Sequence, residues 1–195
     1  MKTEKIYTRP NYLEVSSHFL HDAIDFELRY RFCFKSDGPL FYEPKSRRIK
    51  VFIDLRMGVE SALKSFVSYH CSNDRTGKTL INWIEGYRHR IDKLLTKAAP
   101  YFPEDFLLNY KASLDDLSSL PVDLRYRFDV WDFYENKEEL YDRTIGEDAW
   151  LHSIHESLKE IIDLTNTSLK KHTRLIKVED LIEEMLEPRY ERYNS

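Results

Sequence analysis

Apolar residues recur at three- and four-residue steps along most of the chain, the spacing of a helical stripe turned toward a core. Over residues 13–34, Leu20, Ala23, Ile24 and Leu28 fall on one face and predict a first helix. The loop segment SDGPLFYEP (36–44) interrupts the pattern with Gly38, Pro39 and Pro44. Over 46–69 the stripe is continuous: Phe52, Leu55, Val59, Ala62, Leu63, Phe66 and Val67, with Ser46 as N-cap. The segment CSNDRTG (71–77), dense in cap and turn residues, ends that helix. Leu80, Ile81, Ile84, Tyr87, Ile91, Leu94 and Leu95 mark the next helix over 78–98, and so short a link predicts that 46–98 fold as one antiparallel helical hairpin.

Pro100 and Pro103 stop the hairpin, and Pro103 suits the start of a shorter helix over 104–117. The stretch VDLRYRFDVW after Pro121 alternates like a strand but has no evident partner, so it reads as helix end plus ordered loop. A last long helix is predicted over 147–172, with Leu151, Ile154, Leu158, Ile161, Ile162 and Leu169 inside. A short C-terminal helix is expected at about 178–190. The predicted class is all-α: an antiparallel helical bundle in one domain over 1–195, its core at about 12–172.

Composition agrees with that class. Five glycines and seven prolines among 195 residues are too few for the turns of an all-β fold. The length suffices to bury a core without disulfides or metals. Cys33 and Cys71 read as reduced, small buried residues of a cytoplasmic protein, and the opening MKTEKIYTRPNYLEV lacks the apolar stretch of an export signal. No apolar run reaches the roughly 18 residues that cross a bilayer, so no membrane role is expected.

Charge is uneven. Residues 45–98 hold twelve Lys/Arg against five Asp/Glu, a balance of +7, whereas 99–195 hold twelve against twenty-two, a balance of −10. The basic middle suits an acidic partner or a nucleic-acid backbone, and equally suits packing against the acidic half.

Four candidate chemistries are testable from spacing. The GKT at Gly77, Lys78 and Thr79 resembles the end of a phosphate-binding loop, but position 72 is serine where that motif needs glycine, and a helix precedes it instead of a strand. The pairs His18/His21 and His152/His155 each lie on one helical face and could share a metal ion. Bundle metal sites add carboxylates, and Glu156 projects about 100° around the helix from His155. The expectation is therefore histidines that are exposed or hydrogen-bonded, with no metal and no cofactor. No Ser-His-Asp or Cys-His set can be assembled from sequence order. The most distinctive polar–aromatic stretch is Arg125, Tyr126, Arg127, Phe128 and Asp129, whose arginines suit phosphate and whose tyrosine suits stacking.

Three segments resemble the HEPN superfamily of helical-bundle proteins. HFLHDAIDFELRY (18–30) is similar to its opening helix. LRMGVESALKSFVSYH (55–70), followed by HRIDKLL (89–95), is similar to its long helix and the segment after it. LRYRFD (124–129) resembles the stretch before its last helix. The ribonuclease members carry an arginine and a histidine separated by four to six residues, and no arginine here meets that spacing. Arg143 and His152 have eight residues between them. The resemblance therefore implies the non-nuclease branch, which acts beside nucleotidyltransferases or in toxin–antitoxin and anti-phage systems.

The leading functional expectation is a catalytically silent module that forms a homodimer and binds a nucleotide, RNA or a partner protein. Its ligand surface would combine His89 and Arg90 with Arg125, Tyr126 and Arg127, the arginines pairing with phosphate or carboxylate. One alternative is a divergent metal-independent ribonuclease that uses Arg143 and His152. Nine positions apart, these lie on opposite sides of an unbroken helix, and only a helix start near Gly146 would reunite them. Another alternative is a protein-interaction adaptor whose acidic half binds a basic partner.

Overall fold

The computed structural model describes residues 9–35, 44–72, 74–121 and 137–172. These form seven α-helices and one short 3₁₀ turn, with no strand among them. The helices are α1 (Tyr12–Lys35), α2 (Pro44–Cys71), α3 (Gly77–Glu85), α4 (Ile91–Ala98), α5 (Glu104–Ser119), α6 (Glu138–Asp142) and α7 (Asp148–Lys170). The 3₁₀ turn, Ala99–Tyr101, follows α4. The all-α bundle expected from the sequence is what is observed. The stretch 122–136 and the C-terminal helix expected at 178–190 lie outside the described residues.

α2 is the axis of the bundle and packs against α1, α7 and α4. Every residue of its expected stripe is buried, Phe52 through Val67. Pro44 opens it at a first-turn position, where a missing N–H costs nothing. α1 starts on a capping box: Asn11 Oδ1 accepts from the Leu13 and Glu14 amides at 2.9 and 3.0 Å, and Glu14 Oε2 accepts from the Asn11 amide at 2.8 Å.

The inner face of α1 agrees only in part with the one read from its aliphatic residues: Leu20 and Ala23 are buried and Ile24 packs against the core. Leu28 is exposed, and the buried positions run Ser16, Leu20, Ala23, Glu27 and Tyr30, at alternating steps of four and three. Two polar residues therefore belong to the buried stripe. They escape a reading based on hydrophobicity because each has its partner on another helix.

α1 and α2 form the long antiparallel hairpin of the fold. Ser16 meets Ser65 at one end, and Arg47 donates to the Cys33 and Phe34 carbonyls at the other. α7 runs parallel to α2, since Arg48 pairs with Asp148 at 2.7 Å and Tyr69 meets His172 at 2.8 Å.

The hairpin expected over 46–98 is folded differently. The arm read as one helix is two, broken where Arg88 adopts φ 48°, and the turn closes on hydrogen bonds from Arg88 to Glu85 and from Arg90 to Tyr87. α3 returns from the end of α2. The turn then lies beside Glu60, and α4 climbs back parallel to α2 until Lys97 meets Cys71.

The remaining helices close the core. Phe66 stacks on Phe102, and Phe102 on Phe106, with ring centroids 4.4 and 4.1 Å apart, which ties α2 to α5. Arg56, buried on α2, donates to the Leu117 carbonyl near the C-terminus of α5, where a cation offsets the negative end of the helix dipole. With Arg48–Asp148, this joins the basic middle of the chain to its acidic half. Of these two contacts Arg48–Asp148 pairs opposite charges, so the packing of the halves offsets one charge of each.

Candidate ligand-binding cleft

Where α1 and α7 pass each other, the polar members of their inner faces meet in a cleft of about 570 Å³. α1 contributes Ile24, Glu27, Tyr30, Arg31 and Phe34. α7 contributes His152, His155, Glu156, Lys159 and two further residues. On α7 the positions 152, 155, 156 and 159 recur at helical steps, which places all four on one stripe.

The buried centre of the cleft is the pair Glu27 and His155, each under a tenth exposed. His155 Nε2–H donates to Glu27 Oε1 at 2.7 Å, and Arg31 holds the same carboxylate from the solvent side at 2.8 Å. The imidazole lies against the Tyr30 ring, centroids 4.4 Å apart. With Nε2 committed to Glu27, the Nδ1 edge faces Glu156, whose Oε1 is 3.7 Å away. Glu156 also pairs with Lys159, at 3.0 and 3.1 Å. The His152 ring is 6.5 Å from that of His155.

The electrostatics follow from burial. Desolvation pulls the His155 imidazole below its ordinary value and outweighs the opposing pull of Glu27. Burial, aided by Asp148, Glu156 and Glu27, pushes the Tyr30 phenol up to about 12. Lys159 draws the Glu156 carboxyl below the usual carboxylate range. At neutral pH the cleft therefore holds a neutral Tyr30 and an ionised Glu156.

The sequence-derived candidates fall elsewhere or only in part here. His18 and His21 are exposed on α1 and do not approach the α7 pair. His89 and Arg90 lie together in the turn before α4: His89 Nδ1 is 2.9 Å from Glu60, and Arg90 forms a two-pronged contact with Asp92 at 3.0 and 2.8 Å. Arg125, Tyr126 and Arg127, the rest of that expected surface, lie outside the described residues. A helix start does separate Arg143 from His152, with α7 beginning after Gly146 and capped by Glu147. Arg143 pairs with Asp116 of α5 at 3.5 Å and does not line the cleft that His152 enters.

Gly77 takes φ 56° at the start of α3 and donates its amide to the Pro10 carbonyl at 2.8 Å. It is helix punctuation, and that amide is already spent. Cys33 and Cys71 are half-buried thiols, each with its ionisation pushed up by burial.

No sequence motif singles out Glu27, Tyr30 or Arg31 as site residues. The signal for Glu27 and Tyr30 is their place in the four-three stripe of α1. Likewise, Glu156 is one residue from His155 but four from His152, which puts it on the same face as the latter. Comparison with protein-family models, curated proteins and solved structures gave no match to this chain.

Proposed function

We propose that this chain is a catalytically silent, HEPN-like binding module, and that the α1–α7 cleft is where it takes a nucleotide-sized ligand. The observation that carries the reading is the cleft itself. Its volume of about 570 Å³ falls within the roughly 300–1,000 Å³ of small-molecule pockets, and a few polar groups converge in it. Phe34, stacked on Tyr30 at 5.3 Å and partly exposed, offers a face for a base. Arg31 and Lys159, each with a side chain about half exposed, can turn from their carboxylate partners to a phosphate. The homodimer and the accessory role beside a nucleotidyltransferase or a toxin–antitoxin partner belong to the same proposal and derive from the HEPN resemblance.

The test is calorimetric titration of the full chain with adenosine and guanosine mono-, di- and triphosphates, in chelator. One-site binding, weakened by Arg31→Ala and by Lys159→Ala with the helical circular dichroism intact, is the expected result. Binding weakened by Arg125→Ala with Arg127→Ala, and untouched by the two cleft variants, would move the ligand to the surface read from the sequence. No binding by any of these nucleotides would remove the nucleotide reading.

A further inference from the structure

We infer that His152, His155 and Glu156 form a binding site for a divalent transition ion of the zinc class. The inference goes beyond the proposed nucleotide role and does not rest on it, although it uses the same cleft. One ligand atom from each of the three side chains lies within 4.8 Å of the others. Two imidazoles and one carboxylate are the donor set that suits zinc over magnesium or calcium, which prefer oxygen alone.

Three features turn this proximity into a site. First, the spacing is right. His152 and Glu156 stand one helical turn apart on α7, and His155, three residues after His152, lies about 60° to its other side, so one face of a single helix carries all three ligands. Second, His155 is already oriented. Its Nε2–H is held by the buried Glu27 carboxylate at 2.7 Å, which leaves the Nδ1 lone pair facing Glu156. A carboxylate on the far nitrogen is how metal-binding histidines are usually fixed in tautomer and direction. Third, the group can close on an ion. Ligand atoms around a tetrahedral zinc lie about 3.4 Å apart, given bonds of about 2.1 Å. His155 is fixed by burial, whereas His152 is exposed and Glu156 only partly covered, so these two have room to swing inward.

Among the described residues, Lys159 competes for the site. Lys159 reaches Glu156 from the solvent side, a contact of the weak, exposed kind that a divalent ion displaces. With three protein ligands, the fourth position of the ion opens toward the cleft and takes water or an anionic atom of whatever enters it. Glu27 acts as a positioning residue, through His155.

The experiment is titration of the chelator-stripped full chain with Zn²⁺ in nucleotide-free buffer, by competition against a chromophoric chelator. The Co²⁺ form is followed by its visible absorption. The expected result is one ion per chain with tetrahedral cobalt bands. His152→Ala should weaken binding at least about tenfold and Glu27→Gln by roughly 10–100-fold, while Lys159→Gln tightens it. Because His152 is exposed, its substitution leaves the core untouched, which the helical circular dichroism verifies. Binding that survives His152→Ala unchanged, or that is lost instead in His18→Ala with His21→Ala, would overturn the proposal. So would octahedral cobalt spectra or the absence of one-to-one binding. Since no nucleotide is present, failure of the nucleotide reading leaves these outcomes unaffected.

Discussion

Ser16 of α1 and Ser65 of α2 donate to each other's backbone carbonyls, at 2.9 and 2.6 Å, with their hydroxyl oxygens 3.1 Å apart and both residues fully buried. Two small side chains let the helices approach, and the reciprocal bonds fix their register. Removing one hydroxyl leaves the other in a dry site with one partner fewer. Either Ser16→Ala or Ser65→Ala should cost about 1–2 kcal/mol, and the double variant less than the sum of the two, because neither hydroxyl then remains to be satisfied. Urea unfolding of the four proteins in the cycle measures this. Strict additivity would mean that the bridge contributes no coupling between the helices.

Gly58 sets the approach of α2 to α7. A Cβ there would stand 2.8 Å from Leu158 Cδ2 and 3.3 Å from Phe26 Cβ. The leucine tip can move, but Phe26 Cβ is fixed to the α1 backbone. For Gly58→Ala, the gain of about 1 kcal/mol in helix propensity roughly offsets the crowding. Gly58→Val adds a branched side chain to a filled space and should lose about 2–3 kcal/mol. A valine variant as stable as the wild type by thermal melting would show that α7 can slide outward at little cost.

The two preceding sites differ in how far the sequence betrays them. The stripe of α2 is plain because Phe52, Leu55, Val59, Ala62, Leu63, Phe66 and Val67 keep an unbroken helical spacing, although Asp54, Arg56, Glu60 and Ser65 are buried beside them, and the core positions of α7 are equally clear. α1 misleads because Ser16, Glu27 and Tyr30 occupy inner positions that hydrophobicity assigns to the surface, while Leu28 sits outside. The burial of Glu27 depends on His155, which lies 128 positions away, and no local pattern announces such a partner. The break between α3 and α4 is hidden for a related reason. A lone glycine inside an apolar periodicity is compatible with a continuous helix, and here Arg88 takes the left-handed conformation instead. The histidine spacing on α7 was visible from the start, but the cleft it faces is made by α1.

Glu60 is a second buried carboxylate with two partners. It accepts from Lys64 Nζ at 2.7 Å and from His89 Nδ1 at 2.9 Å, and it is about 4% exposed. The Lys64 side chain is also largely covered, with its ammonium 5.6 Å from the Phe19 ring. Glu60→Ala would strand that ammonium, at a cost of about 3 kcal/mol or more. Pairing Glu60→Leu with Lys64→Met removes both charges and should recover most of the loss. Chemical denaturation distinguishes the two. If the apolar pair is as unstable as the single variant, the ion pair is needed for packing and not merely for mutual compensation.

His70 provides a test of acid sensitivity well away from the cleft. It ends α2 among aromatic rings, tilted on Phe66 at 4.4 Å and stacked on Tyr101 at 5.1 Å. Burial, with Lys171 adding to it, holds its imidazole below the ordinary value of about 6.5. The folded chain therefore binds the proton less readily than the unfolded one. Above about pH 6.5 neither form is protonated at this site and nothing is lost. As the pH falls below that value the unfolded chain takes up the proton first, so stability drops until the folded-state value is passed. His70→Phe keeps the ring contacts and abolishes the titration. Urea unfolding between pH 7.5 and 5 should show the wild type losing more stability than His70→Phe, with the gap opening below about 6.5. Any slope that remains in the variant belongs to other groups. Parallel curves for the two proteins would mean that His70 is protonated as easily in the fold as in the free chain, and that its aromatic surroundings leave it open to water.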